Sequence, residues 1–192
     1  MYNGIRHFVF LTPPFAVLGG LAAAWIAPRL CAHGRLAMVA GTVVLISGLT
    51  SSVVEMVRLH PYEYTSFNHI AGGVAGARAK YMIDYWGLSM RQASLELRTR
   101  LAESGEKPTG EKWIVALCGP RPPVAVSLGP QYSVIWDPNG ADFAMMLGEF
   151  YCAKLDAPIF VEIVREGVVY ARVYDIRGRA IPSLLTVKGP DS

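Results

Sequence analysis

The chain has 192 residues, enough for one ordinary domain or for a membrane segment followed by a modest domain with its own core. Hydrophobic residues make up 52% and charged residues only 17%, against roughly 25% charged in a typical soluble domain, which argues against a simple soluble protein. Residues 1–58 contain four arginines and one acid and so hold the whole net charge of +3, while residues 59–192 contain 14 basic and 14 acidic residues. This distribution differs from the clustered positive charge of nucleic-acid-binding proteins, so we expect no nucleic-acid partner.

Two uncharged apolar runs occupy the N-terminal third of the chain, at residues 8–27 and 36–54. A helix rises about 1.5 Å per residue, so each run is about long enough to cross a hydrocarbon core roughly 30 Å thick. The sequence therefore predicts a transmembrane helical hairpin over residues 1–58, with spans at about 8–27 and 36–57. Glycines and alanines in both runs indicate packing against other transmembrane helices of the same or a companion chain.

The segment between the two runs, PRLCAHGR, predicts a tight loop that contains Arg29 and Arg35. By the positive-inside rule this loop faces the cytoplasm, which sends both chain ends to the other side of the membrane. Pro13 and Pro14 predict a kink inside the first span. A cleaved signal peptide is the alternative for the first run, since Arg6 precedes it, but its length, its double proline and the second run favour a span.

The stretch HPYEYTSFNHIAGG follows the second run and places two histidines, three aromatic rings, an acid and an asparagine within ten residues. We predict that residues 59–87 form a connector at the membrane interface, with two interpretations open. In the first, aromatic rings form a belt at headgroup level and His60-Pro61 ends the helix. In the second, polar groups and aromatic faces line a sugar or acceptor pocket. The later phrase DYWG has the same character, with Trp86 as a stacking platform and Asp84 as a hydroxyl acceptor.

Residues 88–192 predict a small domain that mixes helices and strands, which we call the α/β domain (α+β). Its first element is a helix in LSMRQASLELRTRLAESG, with Ser89 as N-cap, Gln92 completing a capping box and Gly105 as the stop. The buried stripe of this helix is predicted at Met90, Ala93, Leu97 and Leu101. Apolar runs predict strands at WIVALC, YSVIW and ADFAMML, and IFVEIVREGVVYARVYDI predicts a hairpin turning at Glu166 and Gly167. The segment GPRPPVAVSLGP predicts a loop with at most one helical turn.

Residues typical of catalysis are scarce in this domain. The sequence has no GxSxG, P-loop, GxGxxG or HExxH motif, and no cofactor is expected. The cysteines form no CxxC pair and have no ligand-spaced histidine, so no metal site is predicted. Cys118 and Cys152 either pair in a disulfide, if the domain lies outside the cytoplasm, or remain buried free thiols. Asp137 predicts a turn and Asp142 the start of a strand.

Three phrases in this order, YNGIRHFVFLTPPFAVLGG, HPYEYTSFN and DYWGLSMRQA, resemble the C-terminal end of a bacterial polytopic glycosyltransferase. The type is family 39, protein-mannosyltransferase-like, within the GT-C superfamily, and the resemblance covers nearly the whole chain. It implies a membrane enzyme that takes a sugar from a polyprenyl-phosphate carrier and passes it to an acceptor on the extracytoplasmic face. The catalytic acid of such enzymes lies in an early extracytoplasmic loop, so the resemblance implies that this chain lacks it and is not catalytic alone.

The resemblance places Arg6 and His7 where such enzymes often hold the carrier phosphate, with ordinary interfacial snorkelling of the arginine as the alternative. The other predicted substrate-binding residues come from the connector: His60, Tyr62, Glu63, Tyr64, Asn68, Asp84 and Trp86. The implied partners are the lipid bilayer and a polyprenyl-phosphate sugar. The implied location is the bacterial inner membrane, with the C-terminal domain extracytoplasmic.

A function of a different class remains open. The chain is then a small two-span membrane protein whose α/β tail binds a partner and performs no chemistry. More spans and an early acidic loop motif encoded upstream of Met1 would favour the transferase; a genuine start site at Met1 would favour the binding protein or a split enzyme.

Overall fold

A computed structural model of the chain describes residues 10–67, 72–78 and 80–186. The chain divides into two units, Met1–Arg58 and Leu59–Ser192. The first holds two long apolar helices, and the second is a mixed α/β domain with a five-stranded sheet. This layout confirms the two helices and the small α/β domain predicted from the sequence.

The two N-terminal helices are α1 (Thr12–Ala32) and α2 (Arg35–Leu59). Both are long and apolar enough to cross a membrane, and no side chain in the most apolar 18-residue window of either helix is buried. A helix that is apolar on all sides has no solvated face, so it requires lipid or other helices around it. The two predicted spans are thus helices of suitable length, with bounds shifted by a few residues.

Two details of this hairpin differ from the prediction. Only His33 and Gly34 connect the helices, because α1 continues through Pro28 at the loss of one backbone hydrogen bond. The predicted longer loop is therefore wrong, and Gly34 makes the turn with a positive φ of 91°. Pro13 and Pro14 lie in the first turn of α1, where the helix needs no backbone N–H donors, so the predicted mid-span kink is also wrong.

The α/β domain contains three α-helices, one short 3-10 helix (Glu63–Thr65) and five strands among the described residues. The helices are α3 (Gly73–Ala77), α4 (Leu88–Ser104) and α5 (Arg121–Leu128), and the strands are β1 (Trp113–Cys118), β2 (Tyr132–Ile135), β3 (Phe143–Leu147), β4 (Ile159–Arg165) and β5 (Val168–Asp175). The strand order is β2-β1-β3-β5-β4, with β1 parallel to β2 and β3, and β5 antiparallel to β3 and β4. All predicted strands are confirmed, as is the hairpin turn, where Glu166 and Gly167 have positive φ angles of 48° and 72°.

One face of the sheet is covered by α4 and α5, which also contact each other. The predicted stripe of α4 is confirmed as buried: Met90, Ala93, Leu97 and Leu101. Ser94 Oγ of α4 lies 3.7 Å from Met145 Sδ of β3, so the Met145 side of the sheet is the helix-covered face. Because side chains alternate along a strand, Met146 and its register partner Arg172 point to the opposite face. Residues 152–154 lie beside that second face.

The start of α4 is capped differently from the prediction. The helix begins at Leu88, and Ser89 lies inside its first turn. The Asp84 carboxylate accepts hydrogen bonds from the backbone N–H groups of Leu88 at 3.0 Å and Ser89 at 2.9 Å. The predicted capping box of Ser89 and Gln92 is therefore wrong, because an acid four residues before the helix already satisfies its first donors.

The proline-rich segment folds as α5, an eight-residue helix rather than a loop with a single turn. Pro122 and Pro123 lie in the first turn, where backbone N–H groups have no partner within a helix. The prolines therefore initiate the helix instead of preventing it. The predicted stop of α4 at Gly105, which has a φ of 67°, is confirmed.

Candidate functional site

The connector packs as part of the α/β domain instead of standing apart from it. Leu59, Tyr62 and Thr65 each expose 1% or less of their surface. The Tyr62 hydroxyl donates to Gln92 Oε1 on α4 at 2.6 Å, and the Tyr62 ring lies 5.2 Å from the Tyr170 ring on β5. The domain therefore begins directly at the end of α2, and the connector forms one wall of its core.

Tyr62 is a structural residue in this arrangement. Thr65 Oγ1 donates to the Tyr62 carbonyl at 2.8 Å, which leaves the Tyr170 hydroxyl as the donor to Thr65 Oγ1 at 2.9 Å. Burial, followed by the charge of Asp84, raises the pKa of Tyr62 to about 12, so its hydroxyl stays a neutral donor. With 0% exposure, Tyr62 offers no surface to a substrate.

Asp84 is the centre of a buried polar cluster. Its Oδ1 accepts hydrogen bonds from the Tyr64 hydroxyl and the Leu88 N–H, and its Oδ2 accepts from the N–H and the hydroxyl of Ser89. A carboxylate has about four lone-pair sites, and four donors occupy them here. Asp84 is 1% exposed. The structure therefore leaves it no free acceptor for a substrate hydroxyl, and Asp84 joins the connector to the start of α4.

A second buried acid, Glu149, lies behind the backbone of the connector. Its Oε1 accepts the N–H groups of Ile83 at 2.8 Å and Asp84 at 3.0 Å. Burial raises the pKa of the Glu149 carboxyl, against the opposing effect of those two bonds and of the Arg78 charge. Glu149 is absent from the predicted site residues. Its position in the sequence could have indicated it as a candidate. Glu149 follows β3 by two residues, at the carboxyl edge of the parallel strands, where α/β domains bind ligands.

His60 and Glu63 form an exposed pair at the start of the connector. His60 Nδ1 lies 2.5 Å from Glu63 Oε1, and the two side chains are 74% and 36% exposed. The Glu63 backbone N–H first, and His60 second, lower the pKa of the Glu63 carboxyl, so this acid is ionised at neutral pH. This pair is a part of the predicted site that a solute can reach.

The rings of Tyr64 and Trp86 are also accessible, at 45% and 57% exposure. Trp86 meets Tyr85 edge-on, with ring centroids 5.1 Å apart. An aromatic belt and a sugar-stacking platform both require exposed rings, so both interpretations of the connector remain compatible with this arrangement. The remaining predicted site residues, Arg6, His7 and Asn68, lie outside the described residues.

The other acids considered from the sequence serve the backbone, as predicted. Asp142 Oδ2 accepts the Ile114 N–H at 2.8 Å, next to the start of β3. Asp137 Oδ1 accepts the backbone and side-chain N–H groups of Asn139 at 2.9 and 2.7 Å, which is the geometry of a turn. Across residues 10–67, 72–78 and 80–186, no group of three or more His, Cys, Asp and Glu side chains is arranged to hold a metal ion.

Cys118 and Cys152 form a disulfide, which decides between the two alternatives left open by the sequence. The bond joins the end of β1 to the segment after β3, with Cα atoms 5.8 Å apart. Cys31 on α1 is free and exposed. The carboxyl end of β1 is thereby linked covalently to the segment that follows the parallel strand β3.

Tyr151, next to this disulfide, provides a test of the site's electrostatics. Burial first, then the charges of Glu149 and Asp84, raises the pKa of Tyr151 to about 12. A tyrosine whose pKa is higher in the folded state contributes stability in full below pH 10, the ordinary pKa of tyrosine. That contribution is lost as the pH rises toward 12. We expect Tyr151→Phe to reduce the loss of stability between pH 10 and 12 by about 1–2 kcal/mol, with little change at pH 8, as measured by urea unfolding.

The control for this experiment is Tyr81→Phe, which changes a ring that is 55% exposed. Equal alkaline profiles for the two variants would contradict the assignment. The Phe150 ring packs edge-on against Tyr151 at 5.6 Å, and the substitution keeps that contact.

Comparison of the chain with known proteins identifies no family for it. No protein-family model matches the chain, and no curated protein or solved structure matches it. A functional proposal therefore rests on the sequence resemblance and on the geometry of the domain.

Proposed function

We propose that the chain is the C-terminal portion of an integral-membrane glycosyltransferase that uses a polyprenyl-phosphate-linked sugar donor, and that this portion is not catalytic alone. The observation that supports the lack of catalysis by this portion alone is that its buried acids bind the protein's own backbone. Asp84 and Glu149 both hold backbone N–H groups of the domain. A general base must reach the proton that it removes from substrate. Asp84 has all its acceptor sites occupied by protein donors, and Glu149 is buried with one carboxylate oxygen occupied.

Two of the sequence segments that carry the glycosyltransferase resemblance contact each other in the fold, and this contact supports the assignment to that class. Tyr62 from HPYEYTSFN donates to Gln92 from DYWGLSMRQA, and Tyr64 from the first phrase donates to Asp84 from the second. Two hydrogen bonds thus join residues that are 30 and 20 positions apart in the sequence. The phrases that carry the resemblance therefore pack against each other within the α/β domain.

The N-terminal helices support further membrane partners. An added Cβ at Gly41 would lie 2.6 Å from Leu30 Cδ1, so this glycine allows α1 and α2 to approach closely. Gly19, Gly20 and Gly48 have no described atom within 4 Å of an added Cβ. These three small residues are unused within the hairpin and are available for packing against other transmembrane helices, which a polytopic enzyme would supply.

The disulfide and the arginines between the helices support an extracytoplasmic domain. Disulfides persist in oxidising compartments and are rare in the cytoplasm. Arg29 and Arg35 flank the turn between α1 and α2 and favour a cytoplasmic position for that turn. The proposal therefore includes a bacterial inner-membrane location with the α/β domain on the outer side.

Sugar transfer in isolated membranes tests the proposal. The chain is expressed either by itself or together with the coding sequence that precedes it, and radiolabelled polyprenyl-phosphate sugars are supplied as donors. We expect transfer to endogenous acceptors only when the preceding sequence is present. In that complete enzyme, Arg6→Ala should reduce transfer about 10-fold or more, since a lost charge-assisted hydrogen bond costs about 1.5–3 kcal/mol.

Cys31→Ala is the matched control, because this free thiol lies on α1 and has no proposed contact with the donor. Transfer by the chain alone would contradict the statement that it is not catalytic. Absence of transfer from every polyprenyl-phosphate donor, with the preceding sequence present, would favour the two-span partner-binding protein instead.

A further inference from the structure

A cleft rich in basic side chains lies beside β3 and β5, on the face of the sheet opposite α4. Its volume of about 340 Å³ falls within the range of small-ligand sites, about 300–1,000 Å³. The charged groups that line it are Arg78, Glu149, Lys154 and Arg172, and we call it the basic cleft. Among the described residues, none of the substrate-binding residues predicted from the sequence lines this cleft.

The basic cleft has an excess of positive charge. Arg78 and Lys154 are exposed, and neither has an ion pair or a side-chain hydrogen bond within the described part of the chain. Arg172 pairs through Nε with Glu162 Oε1 at 2.6 Å, and its guanidinium also interacts with the side chain of Tyr174. In the described part of the chain, three basic side chains and one acid, Glu149, therefore line the cleft.

Glu149 is an acid that lines the basic cleft. One of its carboxylate oxygens is occupied by the N–H groups of Ile83 and Asp84. Burial also raises the pKa of this carboxyl, which shifts it toward its neutral form. Arg78, Lys154 and Arg172 outnumber this acid along the cleft, so the net potential there favours an anion.

The walls of the basic cleft are fixed without a ligand. Cys152 is bonded to Cys118, and the Gly148 N–H donates to the Tyr170 carbonyl at 2.7 Å. An added Cβ at Gly148 would lie 2.1 Å from the Val169 carbonyl oxygen, so this approach of two backbones requires glycine. A preformed site loses little binding free energy to the ordering of its own walls.

We propose that the basic cleft binds a phosphate-type anion, held by Arg78, Lys154 and Arg172. Guanidinium groups match paired phosphate oxygens with two parallel hydrogen bonds, and lysine adds a point charge. Such a group comes either from a membrane lipid headgroup or from a soluble phosphorylated molecule. Phe150, 54% exposed at the edge of the cleft, offers an apolar contact to both. The inference rests on the α/β domain and does not depend on the glycosyltransferase proposal.

The reactivity of Lys154 measures occupancy of the cleft. The full chain is placed in lipid nanodiscs of zwitterionic phosphatidylcholine, and the acetylation rates of Lys154 and of Lys112, an exposed lysine outside the cleft, are compared by mass spectrometry. We expect inorganic pyrophosphate to slow the acetylation of Lys154 about fivefold or more and to leave Lys112 unchanged. Arg78→Ala should raise the pyrophosphate concentration needed for half-protection about tenfold or more.

Arg121→Ala makes the same charge change at an exposed residue away from the cleft. It should alter the pyrophosphate concentration needed for half-protection by less than about twofold.

Nanodiscs that contain phosphatidylglycerol identify the source of the anion. Protection of Lys154 in those discs without pyrophosphate, and its loss in Arg78→Ala, assigns a lipid headgroup, whereas protection by pyrophosphate only assigns a soluble ligand. The inference is overturned if neither condition protects Lys154 relative to Lys112, or if Arg121→Ala weakens protection as much as Arg78→Ala.

Discussion

Replacing Asp84 by alanine should remove much of the stability of the α/β domain. The change deletes the acceptor for four donors, which come from Tyr64, Leu88 and Ser89. A buried donor left without a partner costs about 1–3 kcal/mol, and relaxation lets some of the four reach water, so we expect a total loss of about 4 kcal/mol. Urea unfolding of the detergent-solubilised chain, followed by near-ultraviolet circular dichroism, measures this loss.

Asp137→Ala is the matched control, because this carboxylate accepts hydrogen bonds only from Asn139 in an exposed turn. We expect it to cost about 0.5–1 kcal/mol. Asp84→Asn should fall between the two, since the amide keeps the shape of the side chain but turns one acceptor into a donor. A loss for Asp84→Ala no greater than that for Asp137→Ala would show that the cluster does not hold the connector to α4.

The second large effect is expected from the loss of the disulfide between Cys118 and Cys152. The bond closes a chain segment with a sequence separation of 34, and the loss of loop entropy in the unfolded state corresponds to about 4 kcal/mol. Replacing both cysteines by alanine should lower the free energy of unfolding by that amount. It should also loosen the segment after β3, which carries Tyr151 and Lys154.

Cys31→Ala is the control for the alanine pair and should leave the free energy of unfolding nearly unchanged, since this thiol is exposed and free. Thiol labelling in denaturant without reductant provides an independent check, with one reactive thiol expected for each chain. Three reactive thiols in protein prepared under oxidising conditions would contradict the disulfide.

These two predictions concern neighbouring parts of one structure. Glu149 binds the N–H group of Asp84 and lies three residues before Cys152. Loosening either the Asp84 cluster or the disulfide should therefore disturb the same stretch of chain after β3. The protection of Lys154 by pyrophosphate should weaken in both sets of variants, even though neither set removes a cation from the basic cleft.

The strands and the buried stripe of α4 could be predicted because apolar periodicity is a local property. Each strand is a short apolar run, and the α4 stripe repeats at helical spacing, so burial follows from the order of residues alone. Proline was the main source of error. Its effect depends on where a helix begins, and Pro13, Pro122 and Pro123 all lie in first turns, where a missing N–H costs nothing.

The candidate site was predicted only in part. The connector was recognised as a group of polar and aromatic residues, and His60, Glu63 and Trp86 are indeed accessible. Tyr62 and Asp84 are buried, because α4 and β5 pack over them. Exposure of a polar side chain is decided by what covers it. Tyr62 contacts Gln92 and Tyr170, 30 or more positions away, whereas Asp84 is enclosed by Tyr64 and by the start of α4.

The sequence by itself determined the two long apolar helices, the order of the strands along the chain and the hairpin turn, because each depends on hydrophobicity or backbone preference within a few neighbouring residues. Only the tertiary structure decided the roles of Asp84 and Glu149, the pairing of two cysteines and the gathering of Arg78, Lys154 and Arg172 around one cleft. An acid becomes a cap or a ligand according to the donors that surround it, and a cation becomes part of a site according to the partners that it lacks. For Glu149, the cysteines and the cations, these partners come from segments distant in the sequence, whereas Asp84 caps a helix that begins four residues after it.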